Sequence, residues 1–517
     1  MNEPRIKYLG FAAALALFAC GEAKQQGEKV TRGFPSTFLF GAATAGFQVD
    51  MGCPTLSPAE CADPNSDWYE WTTSPTIRSA PDMFLSGESP AVVGPGHWEL
   101  FENDFDLLKN DLKGNAYRMS LEWSRIFPRA TDGVEGYDAL KAIANGAAIA
   151  RYHQMFAALK ARDLKPLVTI HHYTLPTWIH DGVGCHVSLR DCTRRGWLDR
   201  ERIVREIAKY AGFVAREFGG EVDLWATLNE PFAVILAGFI QPSKDRTNPP
   251  GLFLHLTEAK AAFWAMVEAH ARMVDAVRAN DVVDADGDGR AARIGVVYAM
   301  SPVRPLAADK PADVSAAKNL FYLYNEVFLN AVAKGEVDAD WNGRRVKRAD
   351  LDGRLDWLGI NYYGGTAVEG LGTSPVPGMS PLFTANPFSI RVFEENPEGL
   401  VEVIRVGAAL GVPVMITENG IPDPNDDGTG PRTIATHLAA VERAIAEGLP
   451  VEGYFYWSLM DNFEWNHGMS MKFGLYAINP ADPTKRRVAR KGVATFRDIA
   501  ALRDVPDAMR AQYGIAR

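Results

Sequence analysis

Clustered positive charge, long apolar runs and cysteine are all scarce in this chain. Lys and Arg total 54 against 64 Asp and Glu, a formal net charge of −10, with no extended basic run. A nucleic-acid groove needs the opposite balance, so no nucleic-acid partner is expected. The apolar stretch from Tyr8 to Ala19 is too short to cross a bilayer as a mature helix. Only 5 cysteines occur in 517 residues, and none has CxxC spacing, which argues against zinc even though His186 follows Cys185. Aromatic weight is present instead: 10% of the chain, including 12 Trp, suits core packing and stacking on flat ligand faces.

The N-terminus reads as a targeting segment. Arg5 and Lys7 precede the apolar run, whose length fits a secretory core. Residues 1–20 are read as a signal peptide, 21–33 as a flexible polar tether, and 34–517 as one domain. Export favours disulfides. Cys53 with Cys61 and Cys185 with Cys192 are the expected pairs among three possible pairings, four reduced thiols being the alternative.

Two apolar, strand-like runs end in glutamate. Leu224 to Asn229 leads to Glu230 and Pro231, and Val414 to Thr417 leads to Glu418, Asn419 and Gly420. A single Glu at a strand terminus is normally a solvated end residue. Two in matching settings form a candidate acid and nucleophile.

Thr227-Leu228-Asn229-Glu230-Pro231 and Ile416-Thr417-Glu418-Asn419-Gly420 resemble the two signatures of the glycoside hydrolase family 1 β-glycosidases. Further matches run from Phe38 to about Gly474. The resemblance implies an α/β fold, a single (β/α)8 TIM barrel with long mouth loops, and no cofactor. It also implies sugar-binding roles for Gln48 after the first strand, Arg118 beside the nucleophile, and His172 before Leu175-Pro176. Asn229 would hold the sugar 2-hydroxyl, and Asn361 and Tyr363 close the Asn-Tyr-Tyr at a sixth strand. Trp457 would be the platform under the sugar, Glu464 the acceptor of its outer hydroxyls, and Trp465 and Phe473 the walls. Phosphosugar-cleaving members place Ser where Glu464 stands, so a neutral glycone is implied. Tyr173 stands where many members carry Trp, and here the sequence resembles the archaeal-type branch. Leu17-Phe18-Ala19-Cys20-Gly21 resembles a lipoprotein processing site, which would attach the exported chain to the bacterial cell envelope through a lipid on Cys20; secretion after simple cleavage is the alternative.

Periodicity along the chain agrees with alternating strands and helices. Strands are expected over residues 38–48, 115–123, 166–173, 224–229, 293–300, 355–363, 414–418 and 451–458. Helices are expected over 97–113, 139–162, 198–218, 256–280, 314–334, 399–410 and 434–447. Residues 53–96 and 364–387, rich in Pro, Gly, Ser and Asp or Thr, read as mouth insertions. Arg118 inside a strand needs a carboxylate; pairing with Glu122 is the alternative to Glu418, although Arg125 suits Glu122 better. Asp284, Asp286, Asp288 and Gly289 imitate the start of a calcium loop, but the twelfth position is Gly295 instead of Glu.

The resemblance implies a retaining β-glycosidase, with β-glucosidase the expected activity on terminal residues of small glycosides. Glu418 would attack the anomeric carbon while Glu230 protonates the leaving oxygen. Arg118 would keep Glu418 ionised. A transglycosylase using the same intermediate and a non-catalytic sugar-binding barrel are the rival classes. The second would be expected to lose one of the glutamates, and both are present.

Overall fold

In the computed structural model of the protein, eight parallel strands close into a barrel. In chain order these are β1 (Leu39–Ala43), β2 (Ala116–Ser120), β3 (Lys165–His171), β4 (Leu224–Asn229), β5 (Arg293–Ala299), β6 (Trp357–Tyr362), β7 (Val414–Asn419) and β8 (Val451–Trp457). Each pairs with its chain neighbour. The ring closes where Leu39 to Ala43 of β1 lie beside Gly453 to Trp457 of β8. The structure describes residues 32 to 516 except 376, 377, 388 and 390. The signal segment, Cys20 and residues 21–31 of the expected tether lie outside the described residues. The last two tether residues are anchored: Arg32 pairs with Asp504 and Asp507, and the Gly33 N–H donates to Glu442 at 2.7 Å.

The strands are apolar on both faces because both faces are covered. Inside the barrel, Ala43, Ala116, Leu167, Ala226, Val297, Trp357, Met415 and Phe455 fill the lumen. The alternate residues, among them Phe40, Tyr117, Val168, Ile294, Leu358 and Tyr454, pack outward against helices. Small residues make room for large ones. A Cβ on Gly41 would meet the Phe455 ring at 2.4 Å, and one on Gly295 would meet the Trp357 indole at 2.5 Å.

A helix follows every strand: α1 (His97–Asp106), α2 (Gly146–Ala161), α3 (Arg200–Phe218), α4 (Leu256–Asn280), the fifth in two parts (Pro311–Phe321 and Val327–Lys334), α6 (Pro397–Ala408), α7 (Thr429–Ala446) and α8 (Gly492–Leu502). Two expected helices differ in detail. The one over 97–113 turns π-helical at Leu107–Asp111. The one over 139–162 is split into Tyr137–Ile143 and α2, because the Asn145 side chain accepts from the backbone N–H groups of Ala147 and Ala148 and starts a new helix. The strand expected over 115–123 stops at Ser120, and Trp123–Ile126 is a short helix.

The mouth insertions carry structure of their own. Residues 53–96 hold short helices at Pro58–Cys61, Asp67–Thr73, Pro75–Arg78 and Pro90–Val93. Part of the 364–387 segment forms a strand, Gly365–Val368, between Val303–Pro305 and Arg391–Glu394. Both expected disulfides are present, Cys53 to Cys61 and Cys185 to Cys192, each tying a mouth loop locally. No helix among the described residues is long and apolar enough to cross a membrane.

Candidate active site

Glu230 and Glu418 stand at the C-terminal ends of β4 and β7, the end of a barrel where eight loops meet. Local irregularities aim them. In β7 the pairing with β6 shifts between Ile416 and Glu418. Strict alternation would put Thr417 and Glu418 on opposite faces, yet both reach into the mouth: Thr417 Oγ1 donates to Asn361 Oδ1 at 2.8 Å, and Glu418 meets Arg118. Asn419 then points outward, its Nδ2 donating to the Tyr362 carbonyl at 2.7 Å. Glu230 is turned by its backbone, with φ 44° and ψ 58° in the left-handed region, and Pro231 starts the helix Pro231–Ile235 behind it. Tyr173 and Trp465 also have positive φ, 73° and 47°. Three residues of one cleft hold a conformation that L side chains seldom adopt, a concentration that accompanies functional sites.

A continuous set of hydrogen bonds joins the two carboxylates. Arg118 Nη1 donates to Glu418 Oε1 at 2.6 Å and Nη2 to Asn229 Oδ1 at 2.7 Å. Asn361 Nδ2 donates to the same Asn229 oxygen at 3.1 Å and to Glu230 Oε1 at 2.8 Å. The other oxygens are also held. Tyr363 donates to Glu418 Oε2 at 2.6 Å, while Tyr173 and Arg246 both donate to Glu230 Oε2, Arg246 from 3.1 Å. Both glutamates are buried at 4% exposure, so neither is the solvated end residue that a lone strand-terminal Glu normally is.

Burial, more than pairing, sets the proton affinity of Glu418. Desolvation pushes its carboxyl up to about 6, with the Arg118 cation working against the rise and the Glu230 charge adding to it. Arg118, expected to keep this group ionised, acts in that direction and limits the rise that burial causes. Glu464 is pushed up to about 7, again chiefly by burial. His172 is driven well below its usual range by burial and then by Arg118, so it is neutral.

The remaining expected site residues converge on the same cleft. Gln48 Nε2 donates to Glu464 Oε2 at 3.1 Å and to Asn462 Oδ1 at 3.2 Å. The His172 ring lies nearly parallel to Trp457 and to Trp465, with centroids 6.0 Å apart in each case, and its Nε2 accepts from Asn229 Nδ2 at 3.2 Å. Phe473 stands edge-on to Tyr363, also at 6.0 Å. Gln48 Oε1 and His172 Nδ1 are buried with no hydrogen-bond partner among the described residues. Buried polar atoms of this kind are the natural partners of a polyhydroxylated ligand. An acceptor and a donor thus face the cleft, between flat aromatic walls.

Three expectations change. Arg125 does not pair with Glu122. Its Nε lies 3.8 Å from Asp50, its Nη2 donates to the Cys61 carbonyl, and its guanidinium sits 4.4 Å over Trp98. Glu122 instead accepts from Thr174 and Ser120. The twelve-residue calcium loop is not formed, because its last position, Gly295, lies inside β5. Asp284 caps the N–H groups of Gly287, Asp288 and Gly289, and it is Asp223, not Asp288, whose carboxylate comes within 4.8 Å of those of Asp284 and Asp286. Finally, Tyr173 and Arg246 contact Glu230, and neither was among the expected site residues. Tyr173 had a signal, being next to His172 and before Leu175-Pro176. Arg246, in a polar loop containing Lys244 and Asp245, had none, since a lone Arg there reads as solvated.

The sequence and the fold have known relatives. The profile of the family described as Glycosyl hydrolase family 1 matches residues 30–505. A β-galactosidase of Pyrococcus woesei is 34% identical over 509 residues, covering 90% of this chain and 97% of the relative. Among solved structures, the β-glycosidase from Thermosphaera aggregans superposes with a TM-score of 0.79 at 30% identity, over 93% of this chain and 99% of that one. A β-glucosidase from Pyrococcus furiosus superposes with a TM-score of 0.76 at 29% identity, over 94% and 100%. A barrel of the right order, paired carboxylates at its mouth and a family match over most of the chain lead to one conclusion: this chain belongs to glycosyl hydrolase family 1 and is a glycoside hydrolase.

Proposed function

We propose that Glu418 is the nucleophile and Glu230 the acid and base of a retaining β-glycosidase acting on small, neutral β-glycosides, β-glucosides foremost. The observation that carries this reading is the hydrogen-bonded path from Glu418 through Arg118, Asn229 and Asn361 to Glu230, which sets two buried carboxylates on one cleft.

Glu418 Oε2 attacks the anomeric carbon, and the electron pair of the glycosidic bond passes to the leaving oxygen, which takes a proton from Glu230. A covalent glycosyl-enzyme and a free alcohol result. Glu230, now a carboxylate, removes a proton from water as that water attacks the same carbon, and Glu418 leaves. Arg118 and Tyr363 stabilise the carboxylate before attack and after release. Retention follows from two inversions and requires carboxyl groups about 5 to 5.5 Å apart.

Gln48, Glu464 and His172 supply acceptors and a donor for the glycone hydroxyls, and Trp457, Trp465 and Phe473 its apolar walls. Glu464 favours a neutral sugar, because a phosphate there would meet the Glu464 carboxylate with that of Glu418 nearby. Relatives carrying both glucosidase and galactosidase names make a broad glycone range part of the proposal.

Export, with lipid attachment at Cys20, belongs to the same reading; the apolar segment with its basic start and the two disulfides support it. Partition of the wild-type chain, but not Cys20→Ala, into a detergent phase is the corresponding measurement.

The deciding experiment hydrolyses 4-nitrophenyl β-D-glucoside, β-D-galactoside and β-D-fucoside and follows the first-formed sugar anomer by NMR. Initial release of the β-anomer supports the reading. Initial release of the α-anomer, or no turnover of any member, sinks it.

A further inference from the structure

Arg246 lies in the loop after the helical stretch Pro231–Ile240 that follows Glu230, and it turns back onto that carboxylate. Its Nη1 donates to Glu230 Oε2 at 3.1 Å and to the Tyr173 hydroxyl at 2.9 Å, and its guanidinium lies 5.7 Å from the Tyr173 ring centroid. The loop is braced at both neighbours. Asn466 Nδ2 donates to the Lys244 carbonyl at 2.9 Å, and His467 Nε2 to the Asp245 carbonyl at 3.0 Å. The backbone N–H of Ser243 donates to the Arg246 carbonyl at 2.8 Å.

One edge of this guanidinium is in use and the other is open. Nε–H and Nη2–H have no hydrogen-bond partner among the described residues, and the side chain is 31% exposed. The other arginine of the site, Arg118, is spent on Glu418, Asn229, Thr169 and the Thr417 carbonyl. Lys244 and Asp245, both exposed, are opposite in sign and largely offset each other at a distance. The paired N–H donors along an Nε and Nη2 edge match the two oxygens of a carboxylate.

Position fixes which part of a substrate meets this edge. On the proposed reading, Glu230 delivers its proton to the leaving oxygen, so a cation bonded to Glu230 stands beside the leaving group. We propose that Arg246 makes the leaving-group side of the cleft selective for aglycones that carry a carboxylate, such as acidic sugars or aromatic acids. This inference rests on the acid role of Glu230. It runs against the background charge of the site, where the Glu418 and Glu464 carboxylates would repel an anion. Arg246 must therefore account for the whole preference, and removing it should abolish the preference.

The test compares 4-carboxyphenyl β-D-glucoside with its neutral 4-carbamoylphenyl counterpart. Binding is measured by calorimetric titration of the Glu418→Gln protein, which separates affinity from turnover. With Arg246 present the carboxylate compound should bind about five- to tenfold more tightly, a gain that falls as salt is raised. Adding Arg246→Gln should abolish the preference. Arg246→Lys, which keeps the charge and loses the fork, should retain only part of the preference, and thermal melts of each variant check that it is folded. Equal binding of the two compounds with Arg246 present, binding of neither, or a preference that survives Arg246→Gln overturns the inference. Hydrolysis by the unmodified enzyme is scored separately. Turnover of both compounds without a binding preference sinks only the role of Arg246, whereas a preference without turnover of either sinks the glycosidase reading.

Discussion

Arg118 and Glu418, 300 positions apart in the chain, meet at 2.6 Å across the barrel mouth, with the arginine wholly buried and the glutamate nearly so. An unpaired guanidinium inside a barrel would carry a large desolvation cost, so this pair and its bond to Asn229 are what allow Arg118 to occupy β2. The same pair limits how far burial raises Glu418, and it therefore bears on when that carboxylate, the proposed nucleophile, is ionised.

Glu418→Gly should lower kcat by at least about three orders of magnitude, equivalent to roughly 4 kcal/mol of lost transition-state stabilisation. Azide fits where the carboxylate was and attacks from the same face. Added azide should restore turnover of activated aryl β-glycosides and yield the α-glycosyl azide, identified by NMR. Full activity without azide would remove Glu418 from the mechanism.

Glu230→Ala should separate substrates by their leaving group. Alkyl β-glycosides need a proton on a poor leaving oxygen and should lose about 10²- to 10⁴-fold in kcat/KM, whereas dinitrophenyl glycosides should lose far less in the first step. Kinetics on both classes check this. Equal losses would deny Glu230 the acid role.

The acidic limb of the pH profile should lie near 6. Glu418 must be ionised to attack, and burial pushes its carboxyl up to about 6. As pH falls through that value the group gains a proton, and kcat/KM should fall about tenfold per unit below it. A profile of kcat/KM between pH 4 and 8 measures the limb. A limb at or below 4 would mean that Arg118 outweighs desolvation.

Gly295→Ala tests the barrel filling. The added Cβ would sit 2.5 Å from both the Trp357 indole and its carbonyl oxygen, a contact that backbone cannot relieve without shifting β5 against β6. The expected loss of stability is about 1 to 3 kcal/mol, measured by chemical denaturation, with activity falling only as the mouth distorts. An unchanged denaturation midpoint would show that the lumen is looser than described.

Much of this protein is decided locally. Short apolar runs, covered on both faces, make the eight strands, and those runs are visible from Leu39 to Trp457 without any tertiary information. The ends of those strands are where the barrel opens, so position made Glu230 and Glu418 a candidate pair, and the resemblance of the motifs around them pointed to Gln48, His172, Asn361 and Trp457 as well. Helix interruptions were harder: Asn145 restarts a helix by capping it, a choice between two competing hydrogen-bond schemes that periodicity does not reveal.

What only the tertiary structure decided is the business of loops and of charge. The register shift that turns Glu418 inward depends on pairing with β6, and the rise of its carboxyl depends on how much protein surrounds it. Arg125 met Asp50, the Cys61 carbonyl and the Trp98 ring, because the residues 50–98 segment folds back over it. Arg246 is only 16 positions from Glu230, yet nothing local says that its loop, pinned by Asn466 and His467, returns the guanidinium to that carboxylate. Strand patterns are written by neighbours along the chain, whereas a side chain's charge state and partner are set by whatever distant segments enclose it.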